Sequence, residues 1–224
     1  IKLQRIEPKV VLHTDEIITL STNDTNYYRE IKANTHYIPA FHPNAAVESQ
    51  TGRGEYVLFH GKLSVPDNDQ AATWLIEEVF SKIDIPFIIA GMEPTGGLRD
   101  LVQRYEHIQL IENPDERRMN ELISSAHINL LVSFQSAGIK LKLINALFRG
   151  RFCVVNKLMI SGTGLAELCY VRNSAAAIRQ TIEALINAPF ERSRVEERRT
   201  LLETEFSNER NAKKLMEIIK FQDG

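Results

Sequence analysis

The sequence predicts a doubly wound α/β domain with a parallel sheet over residues 54–224, preceded by a segment, 1–53, of different character. Three observations carry this reading. From residue 56 onward, short apolar runs alternate with stretches of helical periodicity. The runs are continuously apolar, as strands covered on both faces must be. Several of them end on a glycine or a polar turn, at what right-handed crossovers would make one common edge of the sheet.

The elements follow in order. Residues 56–60 form the first apolar run, ending at Gly61. A helix is expected from Asp67, with Asp67 as cap and Gln70 as the reciprocal partner of a capping box. Ala71, Trp74, Leu75, Val79 and Ile83 then recur at helical spacing. Residues 86–90 read as the second strand, closed by Gly91, and a weaker helix covers 97–105. The third strand spans 108–111. Asn113-Pro114-Asp115-Glu116 announces a helix, with Asn113 as cap and Pro114 in the first turn. Residues 128–132 are the fourth strand, 139–148 the next helix and 152–155 the fifth strand, with a short strand near 168–171. The tail, 174–221, reads as three helices broken at Pro189 and Ser207. In the first segment, 10–12 and 16–20 read as strands and 24–32 as a short helix. The polar, turn-rich stretch 43–54 reads as a linker.

Composition narrows the function. The 224 residues are 43% hydrophobic and 25% charged, with a formal net charge of -2. Bulk electrostatics therefore favour neither nucleic acid nor an anionic membrane, and a phosphate-bearing ligand needs a local basic cluster. Cys153 and Cys169 have neither a metal spacing nor a secreted disulfide pattern, and are read as two buried, reduced thiols of a cytoplasmic protein. No apolar run approaches the ~20 residues needed to span a bilayer. The chain opens on Ile1 without a methionine, so it is read as a piece of a longer protein.

The loops at the ligand edge hold the chemistry. Ser136-Ala137-Gly138-Ile139-Lys140-Leu141-Lys142 is a small-residue turn running into a helix, whose unpaired N–H groups and partial positive charge suit an anion. At ~100° per residue, Lys142, Asn145 and Arg149 share a stripe, while Leu141, Leu143, Ile144, Ala146, Leu147 and Phe148 supply the apolar faces. Lysines in a first turn oppose the helix dipole by ~0.3–1 kcal/mol each if exposed, unless an anion compensates. Lys140 and Lys142 are therefore candidate phosphate ligands, although solvated lysines at a frayed helix start would read the same way. Lys62, after Gly61, could meet the same diphosphate or be a plain surface lysine. Glu112, Asn113 and the Gly162-Thr163-Gly164 turn complete the candidate edge.

Other patterns point elsewhere or nowhere. No G-x-G-x-x-G follows the first strand and no G-x-x-x-x-G-K-[ST] is present, which disfavours dinucleotide and P-loop chemistry. Asp67-Asn68-Asp69 fits a D-x-D metal pattern but is read as a helix start. The six histidines have no metal-helix spacing, and no metal is expected. His60, beside the cleft, is either a hydrogen-bonding group for a ligand or a satisfied strand-end histidine. Ser133 and Ser136 lack a nucleophile elbow.

Gly61-Lys62-Leu63 at the end of the first strand, and Leu143-Ile144-Asn145-Ala146-Leu147-Phe148-Arg149-Gly150 followed by Phe152-Cys153-Val154-Val155, resemble the C-terminal, donor-binding half of GT-B glycosyltransferases of the retaining family-four group. Asp15 to Ser21 and Tyr37-Ile38-Pro39 are similar to the stretch that closes the acceptor domain and leads into the hinge. The resemblance implies a Rossmann-like donor domain at 54–224 and the end of an acceptor domain plus hinge at 1–53. It implies transfer from a nucleotide-diphosphate sugar to a glycan or lipid-linked acceptor, mannosyltransferase-like and of surface-polysaccharide type, without cofactor or metal. Peripheral membrane association of the full-length protein is compatible with such acceptors.

By the same resemblance, Lys62, Lys142 and the backbone N–H groups of Gly138 and Ile139 would hold the diphosphate, and Lys62 and Lys142 would be the catalytic pair. Asn145, from the resemblance, and Gly61, Lys140, Glu112, Asn113 and Gly164, from the loops at the ligand edge, complete the candidate donor-binding set. Two family carboxylates are replaced. Asn145 stands at the ribose-binding glutamate, and Ala137 at the glutamate that would meet the sugar. A binding module without transferase activity and a sugar-nucleotide epimerase are the competing readings.

Overall fold

The computed structural model describes residues 10–135 and 140–220. In it, a two-stranded parallel sheet pairs β1 (Ile17–Thr19) with β2 (Thr35–Tyr37), joined by α1 (Thr22–Arg29). The larger sheet is six-stranded among the described residues and wholly parallel. Its strands are β3 (Val57–Lys62), β4 (Phe87–Met92), β5 (Ile108–Glu112), β6 (Ile128–Leu131), β7 (Phe152–Val155) and β8 (Tyr170–Val171), in the order β5-β4-β3-β6-β7-β8. The doubly wound, Rossmann-like class read from the sequence is the one observed.

The helices alternate as the periodicity required. They are α2 (Pro66–Trp74), α3 (Gly96–Val102), α4 (Glu116–Ser125), α5 (Leu141–Arg149), the short α6 (Lys157–Ile160), α7 (Ala175–Leu185), α8 (Arg192–Glu205) and α9 (Asn208–Lys220). α2 continues through a π turn over Leu75–Val79 into a single 3-10 turn over Phe80–Lys82. Leu58 and Ala90 pack with Leu122, Ile123 and Ala126 of the α4 region, while Val57 and Phe59 join the main core with Ala71, Ala72, Leu75 and Ile76. That division is the period-two alternation of a strand sandwiched between two helical layers.

The direction of winding reverses beside β3. From it the chain moves outward to β4 and β5, then returns to lay β6 on the other side. A doubly wound sheet opens a crevice at such a switch point, beyond the strand carboxyl ends. The crevice here lies beyond Lys62 of β3 and the residues that follow Leu131 of β6.

Several local expectations are corrected. Residues 10 and 11 close a helical turn, with His13 N–H donating to Val10 O, and are not a strand. Asp67 does not cap α2. Val65 is the cap, without a side-chain bond, and Pro66 takes the first turn. Pro66 fixes φ and has no N–H to satisfy, so the helix starts one residue early and Asp67 turns to the neighbouring loop. α4 is capped by Asp115, whose side chain accepts the Arg118 N–H, and not by Asn113. Asn113 has φ +50, a conformation that asparagine tolerates.

The polar stretch 43–54 is no loose linker. Val47 is buried in the core, and the Glu48 N–H donates to Phe148 O at 2.7 Å. Gly52 makes an antiparallel bridge with Phe190. Asn44, Glu48 and Ser49 are held by the end of α5, and Ser49 also by Arg198 of α8, which polarity alone does not reveal.

Both cysteines are free, as read, but only Cys153 is buried and Cys169 is half-buried. Among the described residues no helix is long and apolar enough to cross a membrane.

Candidate functional site

A cavity of about 360 Å³ sits at the switch point, and Gly61, Lys62, Asp67, Ser133, Lys140 and Lys142 are among its lining residues. Each arrives there for a local reason. Gly61 and Lys62 end β3 in register with Gly91 and Met92 of β4. A Cβ on Gly91 would collide with the Gly61 carbonyl, so this strand edge closes only with glycine. Ser133 leaves β6, and the two lysines open α5.

Asp67 and Asn68 tie these loops together. Asp67 accepts Ser133 Oγ–H at 2.8 Å and Phe134 N–H at 2.8 Å. Asn68 donates to Lys62 O at 2.9 Å and accepts from Lys142 Nζ at 2.8 Å. Asp69 accepts from Thr95 Oγ1 at 2.7 Å. The D-x-D run is thus a clasp between the β3–α2 loop, the β6–α5 loop and the start of α3. No cluster of three or more metal-ligating side chains is found among the described residues. Asn156 closes the far side, accepting Ser133 N–H at 3.1 Å and donating to Ser133 O at 2.7 Å.

Electrostatically the cavity is cationic. Lys142 is half-buried, its Nζ 5.2 Å from the centroid of the Phe59 ring. It forms no ion pair among the described residues. Burial pulls its ammonium down to about 8, against the attraction of Asp67 and with the help of Lys140. Burial also lowers Lys140, again opposed by Asp67. Lys62 is exposed and pairs with Glu93 at 3.2 Å. Ser64 and Lys62 hydrogen-bond Glu93 and hold its carboxyl below the ordinary range.

His60, one residue before Gly61, is 5% exposed, and its Nε2 has no hydrogen-bond partner among the described residues. Burial, with Lys142 adding to it, pushes its pKa down to about 3, so the imidazole is neutral. The satisfied strand-end histidine is therefore not what the structure has. The clasp residues Asp67 and Asn68 were missed as site residues because their spacing reads as a helix start. Their place just after Gly61-Lys62 was the available signal.

The remaining candidates are placed as follows. Gly138 and Ile139, with Ser136 and Ala137, lie outside the described residues. Asn145 accepts from Asn44 Nδ2 at 2.7 Å, and Arg149 donates to Asn44 Oδ1 at 2.9 Å and to Glu48 at 2.6 Å. Two members of the Lys142-Asn145-Arg149 stripe therefore grip the segment after residue 43, and only Lys142 lines the cavity. Leu141, assigned by spacing to the apolar faces, is 41% exposed. Glu112 is held by Arg99 through two bonds of 2.9 and 2.7 Å. Asn113 accepts the Glu93 N–H at 2.8 Å, tying the β4 and β5 loops. Neither lines the cavity. Gly164 has φ +72, and its neighbours Gly162 and Thr163 border a second, narrow hollow that Lys140 shares.

A larger hollow of about 700 Å³ lies between α4 and the segment around Glu48. Glu48, Asp115, Glu116 and Glu121 line it against Arg117 and Arg149. That excess of carboxylates repels a diphosphate, so size does not decide the site.

A family model described as "Glycosyl transferases group 1" matches residues 54–188, more than half of the chain. The chain belongs to this family. A curated relative, an "Uncharacterized 44.6 kDa protein in cps region" of Klebsiella pneumoniae, is 29% identical over 118 residues, which are 48% of this chain and 30% of the relative. Among solved structures, TarM superposes with a TM-score of 0.71 at 14% identity, over 97% of this chain and 46% of its own. A glycosyltransferase from Rickettsia africae superposes with a TM-score of 0.70 at 13% identity, over 98% and 66%. Anabaena Alr3699/HepE, solved with UDP and glucose, gives 0.68 at 11% identity, over 96% and 66%. The fold is that of the C-terminal domain of GT-B glycosyltransferases. The chain spans less than half the length of TarM and under a third of the Klebsiella relative.

Proposed function

We propose that this chain is the donor-binding half of a retaining, metal-independent glycosyltransferase that takes a nucleotide-diphosphate sugar. The observation that carries the reading is Lys142, a half-buried ammonium at the sheet's switch point without an ion-pair partner among the described residues. Buried charges are ordinarily paired, and a diphosphate supplies the missing counter-charge. Lys62 joins it by exchanging the exposed Glu93 carboxylate for phosphate oxygen. Residues 54–224 form the donor domain, and 1–53 carry the end of an acceptor domain and the hinge.

In the reaction, the acceptor hydroxyl attacks the sugar carbon on the face from which the diphosphate departs, and its proton passes to the departing phosphate oxygen. The carbon–oxygen bond breaks with its electron pair on the diphosphate, and Lys62 and Lys142 stabilise that charge as it develops. Stabilisation by fixed cations needs no metal. HepE, solved with UDP and glucose, supports a nucleotide-sugar donor of this kind. The Klebsiella relative, described as lying in a cps region, supports a surface-polysaccharide or glycolipid acceptor. Two free thiols agree with a cytoplasmic protein.

Calorimetric titration with a panel of nucleoside diphosphates and sugar nucleotides tests the reading. Micromolar binding to the folded chain, lost in Lys142→Ala, is the expected result. Absence of binding to every member of the panel would sink it. A second reading, donor binding without transfer, is favoured by Asn145, whose Oδ1 is already engaged by Asn44. Sugar nucleotide that binds yet is never consumed by the full-length protein with any glycan or glycolipid acceptor would favour this second reading.

A further inference from the structure

The surroundings of Lys142 say more than that an anion fits. Among the described residues its Nζ has one hydrogen-bond acceptor, the neutral amide oxygen of Asn68, and one aromatic ring, that of Phe59. Three ionisable side chains act on it or are acted on by it. From α2 comes Asp67, which favours the ammonium but whose two carboxylate oxygens already accept Ser133 Oγ–H and Phe134 N–H. From the start of its own helix comes Lys140, which opposes it. From β3 comes His60, buried and neutral, whose own protonation Lys142 disfavours. The N-terminal end of α5 adds a partial positive charge. The Phe59 ring and Asp67 favour the ammonium, while burial, the helix end and the two other lysines that line the same cavity, Lys62 and Lys140, oppose it.

We propose that donor binding at this cavity is proton-linked: Lys142 is partly neutral in the ligand-free protein and fully protonated against the diphosphate, so binding draws a proton from solvent. The inference rests on reading the cavity as a diphosphate site. In balance, the neutral amine, a proton from the buffer acid and the diphosphate give an ammonium–diphosphate pair, with no covalent change. Burial sets the midpoint of the free amine near 8. A diphosphate within hydrogen-bonding distance restores the charged form. Uptake is therefore about half a proton per ligand near pH 8 and negligible near pH 6. Affinity falls as pH rises above the free midpoint, by up to about tenfold per pH unit.

The experiment is calorimetry with uridine- and guanosine-diphosphate hexoses, whose diphosphates have no group titrating near pH 8, in two buffers of different ionisation enthalpy. The expected result is a buffer-dependent enthalpy at pH 8 that vanishes at pH 6. In Lys142→Arg, whose guanidinium stays charged, it should also vanish at pH 8 while weaker binding persists. Binding at pH 8 with identical enthalpies in both buffers, or proton uptake that survives in Lys142→Arg, overturns the proposal and leaves the donor site standing. If neither hexose nucleotide binds, the donor-site reading falls and takes the proposal with it. The free protein offers a second measurement: the ¹³Cε shift of Lys142 should titrate near pH 8, and a midpoint at the ordinary lysine value overturns the proposal.

Discussion

The two ends of α5 each meet a cation, and the two cations could hardly be treated more differently. At the C-terminal end Arg198 of α8 is 2% exposed and donates to Leu147 O at 3.1 Å, to Gly150 O at 2.5 Å, to Ser49 Oγ at 2.9 Å and to Arg151 O. The Phe190 ring lies 4.7 Å away. The Leu147 and Gly150 carbonyls belong to a helix end, where positive charge is favoured. At the N-terminal end Lys142 has, among the described residues, one amide oxygen, a ring and a committed carboxylate, against the dipole. A cation saturated by backbone acceptors holds a structure together. The cation with a single neutral acceptor among the described residues is the one proposed to take an anion.

That contrast breaks or sharpens under mutation. The largest effect is expected at Arg198→Leu, which leaves the carbonyls of Leu147, Gly150 and Arg151 without their guanidinium donor and should cost on the order of 3 kcal/mol or more of stability. Urea unfolding measures it, and a loss below about 1 kcal/mol would erase the distinction. Lys142→Met should do the reverse, lowering sugar-nucleotide affinity by about 100-fold in titration, as loss of a charge-assisted bond of ~3 kcal/mol implies, with stability unchanged or raised.

The same variant fixes a pH dependence. The folded state depresses the Lys142 pKa to about 8, below its unfolded value. The unfolded chain therefore binds the extra proton between the two values. The wild type should gain stability relative to Lys142→Met as pH rises from about 8 toward the ordinary lysine range, and the gain should stop there. Paired urea melts at pH 7 and pH 10 read that sign.

Asp67→Ala opens the clasp and should cost about 1–2 kcal/mol through the unsatisfied Phe134 N–H and the loosened Ser133 loop. Its donor affinity should also fall, whereas a structural role alone would leave affinity intact. Lys62→Ala is the smallest in stability because the Glu93 pair is exposed, with a several-fold loss of donor affinity at low salt.

Much of the fold was legible because the apolar runs are short, continuous and regularly punctuated. Every strand of the large sheet falls within a residue or two of its predicted place, and the tail breaks near Pro189 and Ser207 as read. The misreadings share a cause. Asp67 and Asn113 look like caps, since a cap is defined by the three residues that follow it. Both instead bond across to neighbouring loops, partners 67 and 20 residues away. Asn145 and Arg149 share a helix stripe with Lys142, but a stripe does not say which neighbour it meets.

By itself, then, the sequence determined the parallel doubly wound sheet, its ligand edge and two lysines placed against a helix dipole, because these follow from periodicity, punctuation and chain direction. Only the tertiary structure decided which cation is saturated by backbone acceptors and which has, among the described residues, a single neutral one. It also turned Asp67 into a clasp and Asn145 toward the segment after residue 43, and left His60 neutral. Desolvation and hydrogen-bond competition depend on partners distant in the chain, and those partners meet only in the folded molecule.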